Sequence, residues 1–382
     1  MKNFLITLST LVAFSLSGVA FADGHSAKVS GFMQRILGVG SDVDGGVSEQ
    51  FTRFVIGADT TIDNGWTVGG SMSIQTAAMT GGIYAPSTNH MYIQTDMMTI
   101  NIGNTVGPVS GSVPAVNAMV PGGGVDAGYQ FIFDGGLLAN WGVPFREAYY
   151  ADNAAKIDVD FPTMNGFTIG VSYTPSQEFN ASIQARVQAE TTLVHGETIE
   201  VGIKYDGEMD GMSYTVGAGI VSGNSSTENA GTATQVQNND LSAVSVGLTV
   251  TMGNMTVGVH GYDNGDSFGA STDADKAKNS GYNTAITWAM GNMTVGVGYS
   301  HQEGARGTSV QAWAATFVGI DRPNAAAGNV REDSITMLGI GYDMGGGVNT
   351  FVQLSNNDHS DGDHATTEVD PQVLFAGISL GF

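Results

Sequence analysis

Val244-Ser-Val-Gly-Leu-Thr-Val-Thr-Met252 alternates without a break: Val244, Val246, Leu248, Val250 and Met252 fall on one side, and Ser245, Gly247, Thr249 and Thr251 on the other. A period of two is the signature of a β-strand, whose successive side chains point to opposite faces. Nine residues is also the length a tilted strand needs to cross a bilayer. A soluble sandwich alternates too, but its inward face is the apolar one and carries larger, more varied side chains. Here the second face is small and polar, which suits a wall facing water.

The same phase recurs in Phe167/Ile169/Val171/Tyr173, Ile199/Val201/Ile203/Tyr205, Tyr214/Val216/Ala218/Ile220 and Val295/Val297/Tyr299. Taking every such segment predicts sixteen strands, at about 28–38, 50–61, 66–76, 88–95, 97–104, 153–161, 166–174, 196–206, 211–221, 240–251, 254–263, 281–290, 292–302, 332–343, 348–356 and 371–382. An even number is what a closed antiparallel barrel requires. The connections alternate in length. Tight turns at Asp63-Asn-Gly65, Asp96, Met164-Asn165, Gly207–Asp210, Gly253, Gly291 and Gly345-Gly346 separate eight long connections, so turns gather at one end and loops at the other. Met252-Gly-Asn-Met-Thr-Val-Gly-Val259 and Met290-Gly-Asn-Met-Thr-Val-Gly-Val297 repeat one hairpin, without a chain-long period.

The outward phase places Trp66, Tyr205, Tyr214, Trp288, Tyr342 and Phe382 near the turn end, and Tyr173, Tyr282 and Tyr299 near the loop end. Two such rings match the headgroup levels of a membrane. The final strand, Leu374, Ala376, Ile378, Leu380 and Phe382, keeps the outward phase and closes the barrel, since a free edge does not survive in hydrocarbon.

The longest connection is Thr105–Asp152, rich in Gly, Pro, aromatic and mixed-charge residues. An insertion of that length inside a compact domain is usually functional. It is read as the third external loop, folded into the bore.

At the N-terminus, Lys2, an apolar run from Phe4 to Val19 and Ala20-Phe21-Ala22 form a secretory signal peptide over 1–22, leaving 23–382 as the barrel domain. No later apolar run is long enough for a spanning helix. The absence of cysteine excludes disulfides, thiolate metal sites and a Cys nucleophile. With 55 glycines and only 13% charged residues, the composition is that of neither a disordered chain nor a typical soluble enzyme. The formal net charge of −23 argues against nucleic acid, whose phosphates need Lys and Arg, and suits an interior field favouring cations.

These features resemble the Gram-negative general porin family, in particular its alphaproteobacterial type. The residues that carry the resemblance are Val29-Ser-Gly-Phe32, Thr52-Arg-Phe-Val-Ile-Gly57 leading to Asp63-Asn-Gly65, Asp152-Asn-Ala-Ala-Lys156 through Asn165-Gly-Phe-Thr-Ile-Gly-Val-Ser-Tyr173, and the terminal Gly377-Ile-Ser-Leu-Gly-Phe382. The resemblance implies an all-β, 16-stranded antiparallel transmembrane barrel with an inward-folded third external loop. It also implies a homotrimer in the outer membrane, in contact with lipid and lipopolysaccharide. The family's dense row of Arg and Lys facing an acidic loop is not matched here, because only twelve of the 13 Lys and Arg lie beyond the signal.

The charges expected to set selectivity are Asp126, Asp134, Arg146 and Glu147 on the loop, and Arg35 and Arg53 on the wall. Arg53 is out of phase with Phe54 and Ile56, and an Arg on the lipid face near the midplane would cost about 2–4 kcal/mol, so it points inward. In Asn357–His364, Asp361 and Asp363 suit a hard cation such as Ca2+, with His359 and His364 beside them. The spacing of a calcium loop is missing, however, and a solvated acidic loop is the plainer reading. No P-loop, dinucleotide fingerprint, Gly-x-Ser-x-Gly elbow or His-Glu-x-x-His is present, so no enzyme and no cofactor is expected. The expected function is passive diffusion of small hydrophilic solutes and ions, with a preference for cations. The alternatives are a substrate-specific channel lined by Tyr129, Phe131, Phe133, Trp141, Phe145, Tyr149 and Tyr150, or a structural or adhesive surface barrel plugged by its loop.

Overall fold

The structure, a computed structural model, describes residues 25–41, 46–77, 83–124, 154–176, 195–225, 227–228, 236–237, 239–265, 267, 279–305, 330–361 and 372–382. The expected signal peptide, the loop charges Asp126, Asp134, Arg146 and Glu147, and Asp363 lie outside them.

Sixteen strands close into one antiparallel barrel. In chain order they begin β1 (His25–Gly40), β2 (Gly46–Thr61), β3 (Thr67–Ala77), β4 (Ile83–Gln94), β5 (Thr99–Thr105), β6 (Ala154–Asp160), β7 (Phe167–Ser176), β8 (His195–Met209) and β9 (Met212–Ser225). A two-residue ladder, β10 (Thr227–Glu228) with β11 (Val236–Gln237), stands apart from the wall. The wall resumes with β12 (Leu241–Met252), β13 (Met255–Asp263), β14 (Asn279–Met290), β15 (Met293–Ala305), β16 (Val330–Gly345), β17 (Val348–Asp361) and β18 (Gln372–Gly381). Every strand expected from alternation is present.

Closure is made by β18 against β1, with Arg35 opposite Ile378, and Gly31 and Phe382 exchange backbone hydrogen bonds of 2.9 and 3.0 Å. Every strand of the barrel therefore has two neighbours, so no backbone edge meets lipid. In the two repeated hairpins Met252 pairs with Met255 and Met290 with Met293, leaving two-residue Gly-Asn turns. Gly253 and Gly291 take φ of 59° and 62°, which the tight turn demands and a side chain would oppose. Among the described residues no helix is long and apolar enough to cross a membrane.

The outer face carries the alternating apolar set: Val244 and Val246, Ile199 and Ile203, Val216 and Ile220, and Leu374 and Ile378 are all exposed. The aromatic rings cluster as expected, with Phe167 and Tyr205 at 4.5 Å, Tyr205 and Tyr214 at 5.8 Å, and Tyr282 and Tyr299 at 6.0 Å between centroids.

At the loop end the ladders run further than alternation alone suggests. β17 continues to Asp361, opposite Arg331, so Asp361 ends a strand and does not sit in the expected loop. Backbone pairing costs nothing extra once the strands leave the bilayer, and it continues where the apolar pattern has stopped.

Candidate functional site

Of the long connection, residues 106–124 are described, and they run along the inside of the barrel as a strap. Pro108 opens a single turn, α1 (Pro108–Ser112), where its missing N–H is no loss. A 3-10 turn follows at Val116–Ala118, and Pro114 and Pro121 keep the segment from coiling further. Gly122, Gly123 and Gly124 then take φ of 105°, 95° and 58°, and Gly124 exchanges hydrogen bonds of 3.2 and 3.3 Å with the Gln353 amide on β17.

The wall beneath is made of glycine. A Cβ on Gly170 would lie 2.6 Å from Pro108 Cβ, on Gly219 2.6 Å from Val109 Cγ1, on Gly258 2.5 Å from Met119 Sδ, on Gly296 2.7 Å from Pro121 Cδ, and on Gly298 2.7 Å from Val120 Cγ2. Cβ atoms on Gly202, Gly217 and Gly339 would collide with the strap's own backbone at Pro108, Ser112 and Pro121. All of these glycines are out of phase with the exposed apolar residues, which fixes them on the inner face. Small inner residues on β7 to β17 therefore serve close approach as well as wetness.

Two dry clusters hold the strap down. Val109 and Val113 pack on Val221, Leu241, Ala243 and Tyr262. Val116 and Val120 pack on Ala285, Ile335 and Met337, with Met119 against them. Fully burying a valine is worth roughly 1.5–3 kcal/mol, so these four are a main favourable contribution to holding the strap on the wall.

Polar groups fill the rest. Under the start of the strap, Lys156 Nζ lies 3.4 Å from Glu200 Oε1, both side chains fully buried. A Cβ on Gly107 would meet the Glu200 carboxylate, so this pair and the strap's first residue fit together only through a glycine. Beside it Asn101 Nδ2 donates to Asp158 Oδ2 at 3.0 Å and Asp160 Oδ2 at 3.4 Å. Further round, His260 Nε2 and Ser245 Oγ lie 2.8 Å apart, His260 Nδ1 and Asn283 Nδ2 2.9 Å, and Tyr262 donates to Gln302 Oε1 at 3.1 Å. Ser, His and Asn in contact suggest a catalytic relay, but at 1–3% exposure under the strap no substrate reaches them.

Among the described residues the strap's close approaches fall on strands from β7 to β17, and β18 with β1 to β6 completes the wall of the bore. Register fixes which side chains face it. Gln353 bonds the strap and is therefore inner; it pairs with Phe375, which pairs with Gly38, and counting back by twos along β1 reaches Phe32, opposite Arg53. Arg53 stands on the inner wall as expected, near a stacked pair of inner rings, Phe32 and Phe51, at 5.2 Å.

Arg35 is corrected. It lies in the other phase, with exposed Leu37 and Val39, opposite exposed Ile378, and so points outward. The pattern misled because β1 carries apolar residues on both faces, Phe32 and Ile36 inside as well as Leu37 and Val39 outside.

Lys156, Asp158, Asp160 and Glu200 were missed as inner-wall residues. The signal was available: each is out of phase with Ile157 and Val159, or with Ile199 and Val201.

The sequence profile described as Gram-negative porin matches residues 7–365. The chain belongs to the Gram-negative porin family. It is an outer-membrane porin, a channel protein. Its barrel is similar to a loop-deletion variant of OmpT, an outer-membrane protein of Vibrio cholerae, at 13% identity and a TM-score of 0.61, over 94% of this chain and 100% of that one. The trimer form of OmpT gives 12% and 0.59 over 94% and 100%. A mutant of the Rh. blastica porin gives 15% and 0.57 over 93% and 100%. At such identities these likenesses speak for the fold. No curated protein sequence matches the chain.

Proposed function

We propose that this porin is a water-filled channel for passive diffusion of small hydrophilic solutes and ions, with a preference for cations, and that its loop narrows the bore. The observation that carries this reading is the strap. Its described part, 106–124, is held against the inner wall by a glycine track and by Gln353, so it takes up part of the lumen. Lys156 is tied to Glu200, and Asp158 and Asp160, both bonded by Asn101, add two further carboxyl groups to the same inner row. With the net charge of −23, that is a field that concentrates cations in a water-filled conduit with low-dielectric walls. Trimeric assembly accords with the family and with the outward Arg35, whose charge is easier to place against another copy than in lipid, where it would cost up to about 2–4 kcal/mol.

The test is reversal potential across a planar bilayer separating two concentrations of one salt. A value of the sign for cation flow is expected, and its magnitude shrinks as ionic strength rises and screening shortens the field's reach. An anion-selective value refutes the preference, and an absence of conductance refutes the channel.

A further inference from the structure

The turns at the short-loop end carry sulfur. Met97, Met164, Met209, Met252, Met290 and Met344 each sit in or beside a tight turn and are 38–70% exposed. Register joins them into rows: Met209 pairs with Met212, Met212 with Met252, Met252 with Met255, and Met290 with Met293. Those within strands, Met209, Met252, Met290 and Met344, are in the outward phase, and Met97 and Met164 lie in the turns themselves. Met290 and Met344 lie two residues beyond Trp288 and Tyr342, roughly 7 Å further along the strand than the aromatic ring at headgroup level. That puts these thioethers at the periplasmic rim, in reach of water, in a chain with no cysteine to compete for oxidants.

We propose that this rim is a modification site, a sacrificial sink for peroxides reaching the periplasmic face. The thioether sulfur attacks one peroxide oxygen; the O–O bond breaks, an S–O bond forms, and the other oxygen leaves as water after taking up a proton. Sulfur loses two electrons and the peroxide gains them. The product sulfoxide is polar, and a thiol-dependent sulfoxide reductase restores the thioether. At the rim, water and headgroups solvate it and the barrel is undisturbed. Inside, the same product on Met337, which is 2% exposed, or on Met119 would place an unpartnered polar group in the dry cluster that holds the strap. The rim is thus where oxidation is fast and harmless.

Porin reconstituted in phospholipid vesicles is treated with hydrogen peroxide, and sulfoxides are mapped by peptide mass spectrometry alongside single-channel conductance. The six rim methionines are expected to oxidise first, with conductance unchanged. Met91, 63% exposed on the outer face of β4 and covered by lipid in the membrane, is expected to stay reduced with Met337. Oxidation of Met91 or Met337 in step with the rim, or loss of conductance as the rim oxidises, overturns the proposal. In a variant with the six rim methionines changed to Leu, a swap close in volume, conductance is expected to be lost sooner under peroxide. Equal lifetimes overturn the sink. Should that variant not assemble, the oxidation map of the unaltered porin decides alone.

Discussion

Glu200→Ala is expected to cost the folded barrel up to about 3–5 kcal/mol, because it removes the carboxylate 3.4 Å from the fully buried Lys156 ammonium. Lys156→Met is expected to act in the same direction by removing the ammonium beside Glu200. Replacing both by Met removes the charges together and is expected to recover most of the loss, since buried ion pairs exchange for apolar groups at little net cost. Urea unfolding of refolded barrels in detergent reads the four corners of this cycle. Losses that simply add, with no recovery in the double variant, would mean that the two side chains stabilise the wall independently.

The second large effect belongs to the glycine track. Gly202→Leu and Gly339→Leu each force a side chain into the strap's backbone at Pro108 or Pro121. Overpacking alone costs about 1–3 kcal/mol, and the strap is the softer partner, so it leaves the wall and enters the lumen. Single-channel records should then show lower conductance and frequent closures. Gly57→Ala is the control, because a Cβ there meets only the Gly70 carbonyl at an ordinary 3.6 Å. Channels of unchanged conductance in both leucine variants would show that the strap does not bound the conducting path.

The barrel was legible because a membrane imposes a strict rule. Each strand must show lipid one apolar face, and Val244 to Met252 shows it in its simplest form. Closure followed from the terminal phase of Leu374 to Phe382. What stayed hidden was everything decided by contact across the lumen. Gly202, Gly217 and Gly339 look like any small residue on a wet wall, and only the strap lying on them reveals that a Cβ is forbidden. Arg53 was placed by phase because Phe54 and Ile56 flank it cleanly. Arg35 was misplaced because Ile36 and Leu37 are both apolar while one faces Phe375 and the other lipid. Glu200 and Lys156 are 44 residues apart, and no local pattern announces that the two charges, on strands flanking β7, come to 3.4 Å.

The proposed passage of water and ions through the bore is tested most directly on its inner wall. Because the chain has no native cysteine, single cysteines can be read cleanly with a charged thiol reagent during conductance recording. Gln34→Cys and Ser71→Cys, partly exposed on the inner wall of β1 and β3, are expected to react and to lower the current stepwise. Ser245→Cys and Ser300→Cys, about 1% exposed beneath the strap, are expected to leave it unchanged. Block through Ser245→Cys and Ser300→Cys, with Gln34→Cys and Ser71→Cys inert, would contradict the account.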